Sequence, residues 1–328
     1  MILKIQFYLI LKKDLTNKSF FVIIILGDNM NRNLIERYIK EINNISKKYQ
    51  YDNNITHLLY LIIPAFITKY KYKEQLILNT FNSIPIIISK EKSEYINAYY
   101  TSIPTYQENK IVTKKYIVIN NYEKIPLVKL LDNLVHEFNH AINSYNNEIL
   151  KDNNTLYLRT GLTYATYSLP NLTPKEKLPS YILEEIINTR QTETIIDTIK
   201  NYQDTSLETI SNTIYAINNE TNSNYKSNAY YLETQILTKL LNNKTFIYTL
   251  ENLRLEGNIK DIESWFNNIT EIKDSYNTLI KKLNDIINLE LKLSNAKYFK
   301  NHYISKIKSL SKDIFYIIDT FNSNCNYT

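Results

Sequence analysis

The stretch Pro126-Leu127-Val128-Lys129-Leu130-Leu131-Asp132-Asn133-Leu134-Val135-His136-Glu137-Phe138-Asn139-His140-Ala141-Ile142-Asn143 decides how this chain is read. Proline suits the first turn of a helix, because its missing N–H would have no partner there and its φ is already helical. From there Leu130, Leu131, Leu134, Val135, Phe138 and Ile142 recur at three- and four-residue spacing, the period of a helix with an apolar face. His136 and His140, four apart, project from one side of that helix, one turn apart. Two imidazole nitrogens so placed can reach one Zn²⁺ at about 2.0–2.1 Å. Glu137 beside them can take a proton from a water that the metal has acidified. Two of the chain's four histidines fall in this motif, which makes a pair of ordinary helix histidines the weaker reading. Asp132, one turn before His136, can orient that ring as a hydrogen-bond acceptor, although a solvated surface aspartate is the plainer expectation.

A catalytic zinc takes three protein ligands and keeps one position open. The third is sought on the next strong helical pattern, Leu183-Glu184-Glu185-Ile186-Ile187-Asn188-Thr189-Arg190-Gln191-Thr192-Glu193. Acidic residues in a first helical turn are common dipole partners, and that is the plain reading of Glu184 and Glu185. Together, however, the two stretches resemble the zincin superfamily of metallopeptidases, gluzincin type, in which a downstream helix gives a glutamate to the metal. The order Glu185-Ile186-Ile187-Asn188 fits that second motif best, with Glu184 as runner-up and Glu193 as an outer or surface residue. The resemblance covers residues 84–200. The zincin class with a glycine and a third histidine after the first motif is excluded, because Asn143 and Asn146 stand at those positions. His57 and His302 belong to no motif and read as structural. The resemblance implies zinc-dependent peptide-bond hydrolysis, with His136, His140 and Glu185 on the metal and Glu137 as general base and then proton donor. It also implies that the strand at 115–119 is an edge strand pairing with an extended substrate. Tyr225, Tyr230 and Tyr231 are candidates for stabilising an oxyanion, although packing is the commoner role for a tyrosine.

Outward from the motif, composition narrows the alternatives. The three glycines, Gly27, Gly161 and Gly257, stand alone, so no glycine-rich phosphate loop can be written. The abundant Asn, Ile, Lys and Tyr share AT-rich codons. Lysines are spread along a chain of net charge +6, without the basic stripe that would favour nucleic acid. The lone Cys325 allows no intramolecular disulfide and fits a reducing compartment. Two apolar runs near the start, Ile5–Leu11 and Phe20–Gly27, are too short to span a bilayer. Residues 1–29 read either as strands or an over-long start ahead of Met30, or as a targeting segment.

All seven prolines lie between Pro64 and Pro179, and their absence beyond favours long helices. Helices are expected at 31–50, at 54–82 with an interruption at Pro64, at 126–143 and over Tyr181–Lys200. Strands are expected at Ile84–Ser89, Tyr95–Ile103 and Ile111–Asn120, with a short strand pair at 155–168 turning at Gly161. Ile262, Phe266, Ile269, Ile272, Tyr276, Leu279, Leu283 and Ile286 suggest one long helical segment, and Ile304, Ile307, Leu310, Ile314 and Ile318 another. The expected fold is α+β and mainly helical: a zincin-like core with a small antiparallel or mixed sheet on the motif helix, then an all-helical C-terminal part. Its expected organisation is an uncertain segment 1–29, a catalytic region 30–200 and a helical subdomain 201–328. The expected partner is a peptide or protein substrate, not nucleic acid. The expected location is cytoplasmic, or membrane-associated or secreted if residues 1–29 are a targeting segment. The alternatives are a zinc-bound, catalytically silent binding module and a helical interaction protein with an accidental motif.

Overall fold

Helix α1 (residues 35–49), α2 (Asn53–Lys69) and α3 (Glu74–Ser83) lead into strands β1 (Ile86–Ile88), β2 (Ala98–Gln107) and β3 (Lys110–Ile119). A 3-10 turn at Tyr122–Lys124 precedes α4 (Leu127–Ile142), which is followed by β4 (Ile149–Asp152), β5 (Thr155–Thr160), β6 (Thr163–Ser168) and β7 (Thr173–Lys177). The rest is helical: α5 (Tyr181–Lys200), α6 (Glu208–Thr221), α7 (Tyr231–Leu241), α8 (Lys244–Glu256), α9 (Ile259–Thr270), α10 (Ser275–Asn295) and α11 (Lys300–Cys325). This computed structural model describes residues 35–90, 97–108, 110–145, 149–152, 154–177, 180–202, 208–221, 230–257 and 259–325. Residues 1–29, Met30, Tyr95, Asn146, Pro179 and Tyr225 lie outside the described residues. The fold is α+β and mainly helical. Among the described residues no helix is long and apolar enough to cross a membrane.

The chain divides into two compact units, one from the described parts of Met1–Glu74 and Ile195–Ser223, the other from those of Gln75–Thr194 and Asn224–Thr328. In the first, α2 buries Leu58, Leu59, Ile62, Ile63 and Phe66, and Tyr60 donates to Asn43 of α1. Contrary to the expected interruption, α2 runs straight through Pro64, and the break falls at Tyr70–Lys73. Proline removes one backbone hydrogen bond, and the burial of nearly every neighbour in that turn offsets it.

The second unit holds two sheets. β3 is the centre of the first, parallel to β1 and antiparallel to β2. This corrects the expectation that 115–119 forms the edge where residues 117–119 are concerned; Lys115 and Tyr116 are paired with β2 alone. Ile117, Val118 and Ile119 have strand partners on both sides and are also buried, and β2 is the edge that faces α4. Pro104 within β2 fits that placement, since proline is confined to edge strands. The second sheet runs β4-β5-β6-β7, all antiparallel. Its β5–β6 hairpin turns at Gly161-Leu162, with Gly161 at φ +57°, where a glycine is favoured.

The C-terminal helices close round a core containing Phe246, Phe266 and Phe321, whose rings lie 4.7–6.2 Å apart. Ile182, Leu183, Ile186 and Ile187 of α5 belong to the same core. The expected single segment through Ile262–Ile286 is two helices, α9 and α10, separated at residues 271–274. Glu271 and Asp274 take left-handed backbone there, and Asn267 Oδ1 accepts from the Ser275 hydroxyl and the Tyr276 N–H, capping the new helix. The apolar period continues across the break because both helices pack into one core.

Candidate metal centre

Helix α4 is buried on nearly every side. Phe138 stacks on Phe81 of α3 at 3.9 Å between ring centroids, and its loss to alanine would cost about 3–5 kcal/mol. That packing fixes the rotation of the helix and with it the two imidazoles. His136 and His140 face each other edge to face, with Nε2 atoms 3.2 Å apart. Glu185, projecting from α5, places Oε2 3.3 Å from His136 Nε2 and Oε1 3.5 Å from His140 Nε2. A tetrahedral centre with bonds of about 2.0–2.1 Å sets its ligand atoms about 3.3–3.4 Å apart. The three donors therefore already stand at the separations of a zinc site, and they form the single group of this kind among the described residues. His57 and His302 are in no such group.

Glu184 is fully buried and plays a different part from its neighbour. Its Oε1 lies 2.8 Å from His140 Nδ1 and also accepts from Arg254 Nη2. Its Oε2 accepts from Arg254 Nε and from the Leu162 N–H, both at 2.8 Å. Four hydrogen bonds use the four acceptor positions of a carboxylate, which leaves Glu185 as the carboxylate that faces the Nε2 atoms of both histidines. Holding Nδ1 of His140 in this way leaves Nε2 as the ring nitrogen that faces His136 and Glu185.

The electrostatics follow from these contacts. Burial favours a neutral Glu184, but the Arg254 guanidinium outweighs it and, with His140, brings the carboxyl down to about 2. Burial likewise opposes a charged Glu185, yet His140 and His136 hold it well below the usual range. For His140, burial disfavours the imidazolium, but the Glu185 and Glu184 carboxylates prevail and raise its pKa to about 10. Burial, with Glu185 next, pushes up the phenols of Tyr181 and Tyr230, which hydrogen-bond to each other. Tyr230 thus stands beside the site, whereas Tyr231 is exposed.

Glu137 is buried, and its Oε2 accepts the backbone N–H of Tyr100 on β2 at 2.6 Å. Asp132, expected at a solvated surface, is instead largely buried and paired with Lys129 at 2.7 Å. Glu193 is exposed, two turns beyond the site.

Behind these side chains lies a polar layer of which the sequence motifs report only Glu184 and Asn188. Glu184, Asn188 and Gln191 lie at i, i+4 and i+7 on one face of α5, all fully buried. Asn139 of α4 donates to Asn188 at 2.8 Å and to Gln191 at 2.9 Å, and Asn188 donates to the His136 carbonyl at 2.9 Å. Arg254 of α8 reaches the same three α5 residues. Arg159 of β5 donates to the carbonyls of Asn143, Gly161 and Arg254. A signal was present: only five of the 39 Lys and Arg residues are arginines, and two of those five are the buried Arg159 and Arg254.

No protein-family model matches this chain, and neither a curated protein nor a solved structure matches it.

Proposed function

We propose that this protein is a zinc-dependent metallopeptidase with a gluzincin-like arrangement of its site. The observation that carries the reading is the convergence of His136 Nε2, His140 Nε2 and the Glu185 carboxylate at 3.2–3.5 Å, with Glu137 in the same turn of α4. Those three side chains would hold the ion. A zinc ion held there would supply Lewis-acid chemistry, polarising a carbonyl and lowering the pKa of a water towards about 7. Glu137 takes a proton from the attacking water as the new C–O bond forms. It then gives that proton to the amine nitrogen as the C–N bond breaks.

β2 supports the same reading. Residues directly opposite each other in an antiparallel pair alternate between bonding across the pair and facing away from it. Tyr100 faces away, since its N–H goes to Glu137, and the Ser102 carbonyl, two residues on, meets the Tyr167 hydroxyl at 3.3 Å. An extended peptide pairing with this edge would have to take the Tyr100 N–H from Glu137 and the Ser102 carbonyl from the Tyr167 hydroxyl, and would then lie beside the Glu137 carboxylate. Pro104, with no N–H, ends the run of donors on that edge.

Metal analysis of the purified chain is the first test, with one zinc per chain expected and none in His136→Ala. Glu137→Gln should keep the metal and lose peptide hydrolysis. A wild-type protein without stoichiometric zinc overturns the reading. Zinc bound with no cleavage across peptide libraries points instead to a silent binding module.

A further inference from the structure

Two glutamates stand side by side on α5: Glu185 faces the Nε2 atoms of both histidines, and Glu184 meets only His140, at Nδ1. Glu184 is also engaged from α8, in the helical C-terminal part of the chain. Arg254 is fully buried and meets Glu184 side-on, Nε to Oε2 at 2.8 Å and Nη2 to Oε1. The same guanidinium donates to Asn188 Oδ1 at 2.7 Å and to Gln191 Oε1. Its own backbone carbonyl is held by Arg159 at 3.0 Å, and Gly257, just after α8, leaves room for the Arg159 guanidinium, which a Cβ would approach to 3.2 Å.

We propose that Arg254 is a positioning residue of the metal centre. It acts through Glu184, fixing that carboxylate on His140 Nδ1, and so sets how tightly His140 Nε2 can hold a metal. The proposal rests on the zinc reading of the site. Three physical points support it. A planar guanidinium fork fixes both oxygens of a carboxylate in one plane, which a lysine ammonium cannot do. A buried carboxylate stays an acceptor only while a cation balances it. An imidazole whose Nδ1–H is anchored presents its other nitrogen in one tautomer and one orientation. Arg254 also separates the duties of adjacent residues: by occupying Glu184, it leaves Glu185 as the metal-facing carboxylate. The C-terminal helices are, on this view, part of the metal centre.

The test is a chelator-competition titration of zinc on the full chain, with the cobalt-substituted absorption spectrum read alongside. Arg254→Met should bind zinc about 10–100-fold more weakly than wild type and shift the cobalt spectrum. Arg254→Lys should recover only part of that loss. Because both residues act through one bond, Arg254→Met combined with Glu184→Gln should bind zinc no more weakly than the worse single variant. A folded Arg254→Met protein with wild-type zinc affinity overturns the proposal, as do single effects that add in the double variant. If circular dichroism shows Arg254→Met unfolded, a folded Arg254→Lys protein with undiminished affinity overturns it equally. A wild-type chain that takes up no zinc defeats the metal reading, and the role of Arg254 with it, before any variant is compared.

Discussion

A Cβ on Gly161 would lie 2.2 Å from Cδ, Oε1 and Oε2 of Glu184, so the hairpin turn and the buried carboxylate claim the same space. The carboxylate cannot swing aside, because Arg254, His140 and the Leu162 N–H hold it. The turn cannot relax easily either, with Gly161 at φ +57°. Gly161→Ala is therefore expected to destabilise the fold by about 1–3 kcal/mol from the backbone alone, with the steric clash added. It should also loosen zinc, because the displaced group is the one that anchors His140. Equilibrium unfolding and metal competition on the same preparation check both halves. An alanine variant with unchanged zinc affinity would mean that the Glu184 contact with His140 has no bearing on the metal.

The two adjacent glutamates give opposite expectations. Glu185→Ala removes a donor and should abolish stoichiometric zinc while leaving the Glu184–Arg254 pair in place. Glu184→Gln keeps every donor, so one zinc per chain should still bind at saturation, with affinity lowered about 10–100-fold. That variant also leaves Arg254 buried without its anion, which should cost about 3–5 kcal/mol of stability. Metal content after dialysis, with urea unfolding, separates the two. If the Glu184 variant loses its metal and the Glu185 variant keeps it, the assigned roles are exchanged.

The donors on α4 are legible in the sequence because one helical period fixes the apolar face and the histidine spacing together. Glu185 is less so, since Glu184-Glu185 at a helix start is equally the pattern of exposed dipole partners. Only the rotation of α5 separates them, and that is set by Ile182, Leu183, Ile186 and Ile187 entering a core built from much later helices. Arg254 lies 70 residues from Glu184 in sequence, and no local pattern reports such a contact. β3 reads correctly as a strand, but whether a strand is central or at an edge depends on which partners flank it. The three-residue β1, paired parallel to β3, is what takes that edge away. The break between α9 and α10 carries no glycine or proline. Its left-handed residues are Glu271 and Asp274, and the Asn267 side chain, accepting the Tyr276 N–H, caps the new helix.

Away from the candidate metal site, Glu233 on α7 makes a pH prediction. The residue is buried, and its pKa is raised from 4.5 to about 7, by burial first and then by a hydrogen bond with Glu290 of α10. Below pH 4.5 the carboxyl is neutral in both folded and unfolded chains and has no effect on the balance. As pH rises from there to about 7, the unfolded chain releases the proton first, so the folded state loses stability across that window and the loss levels off above it. Glu233→Gln removes this term. The variant should therefore gain on the order of 1–3 kcal/mol over wild type at pH 8, and the gain should shrink as pH falls through the window. Urea unfolding of both proteins at pH 5, 6, 7 and 8 measures the difference directly. A difference that stays constant over that range would place the strain of Glu233 in packing and not in its charge beside Glu290.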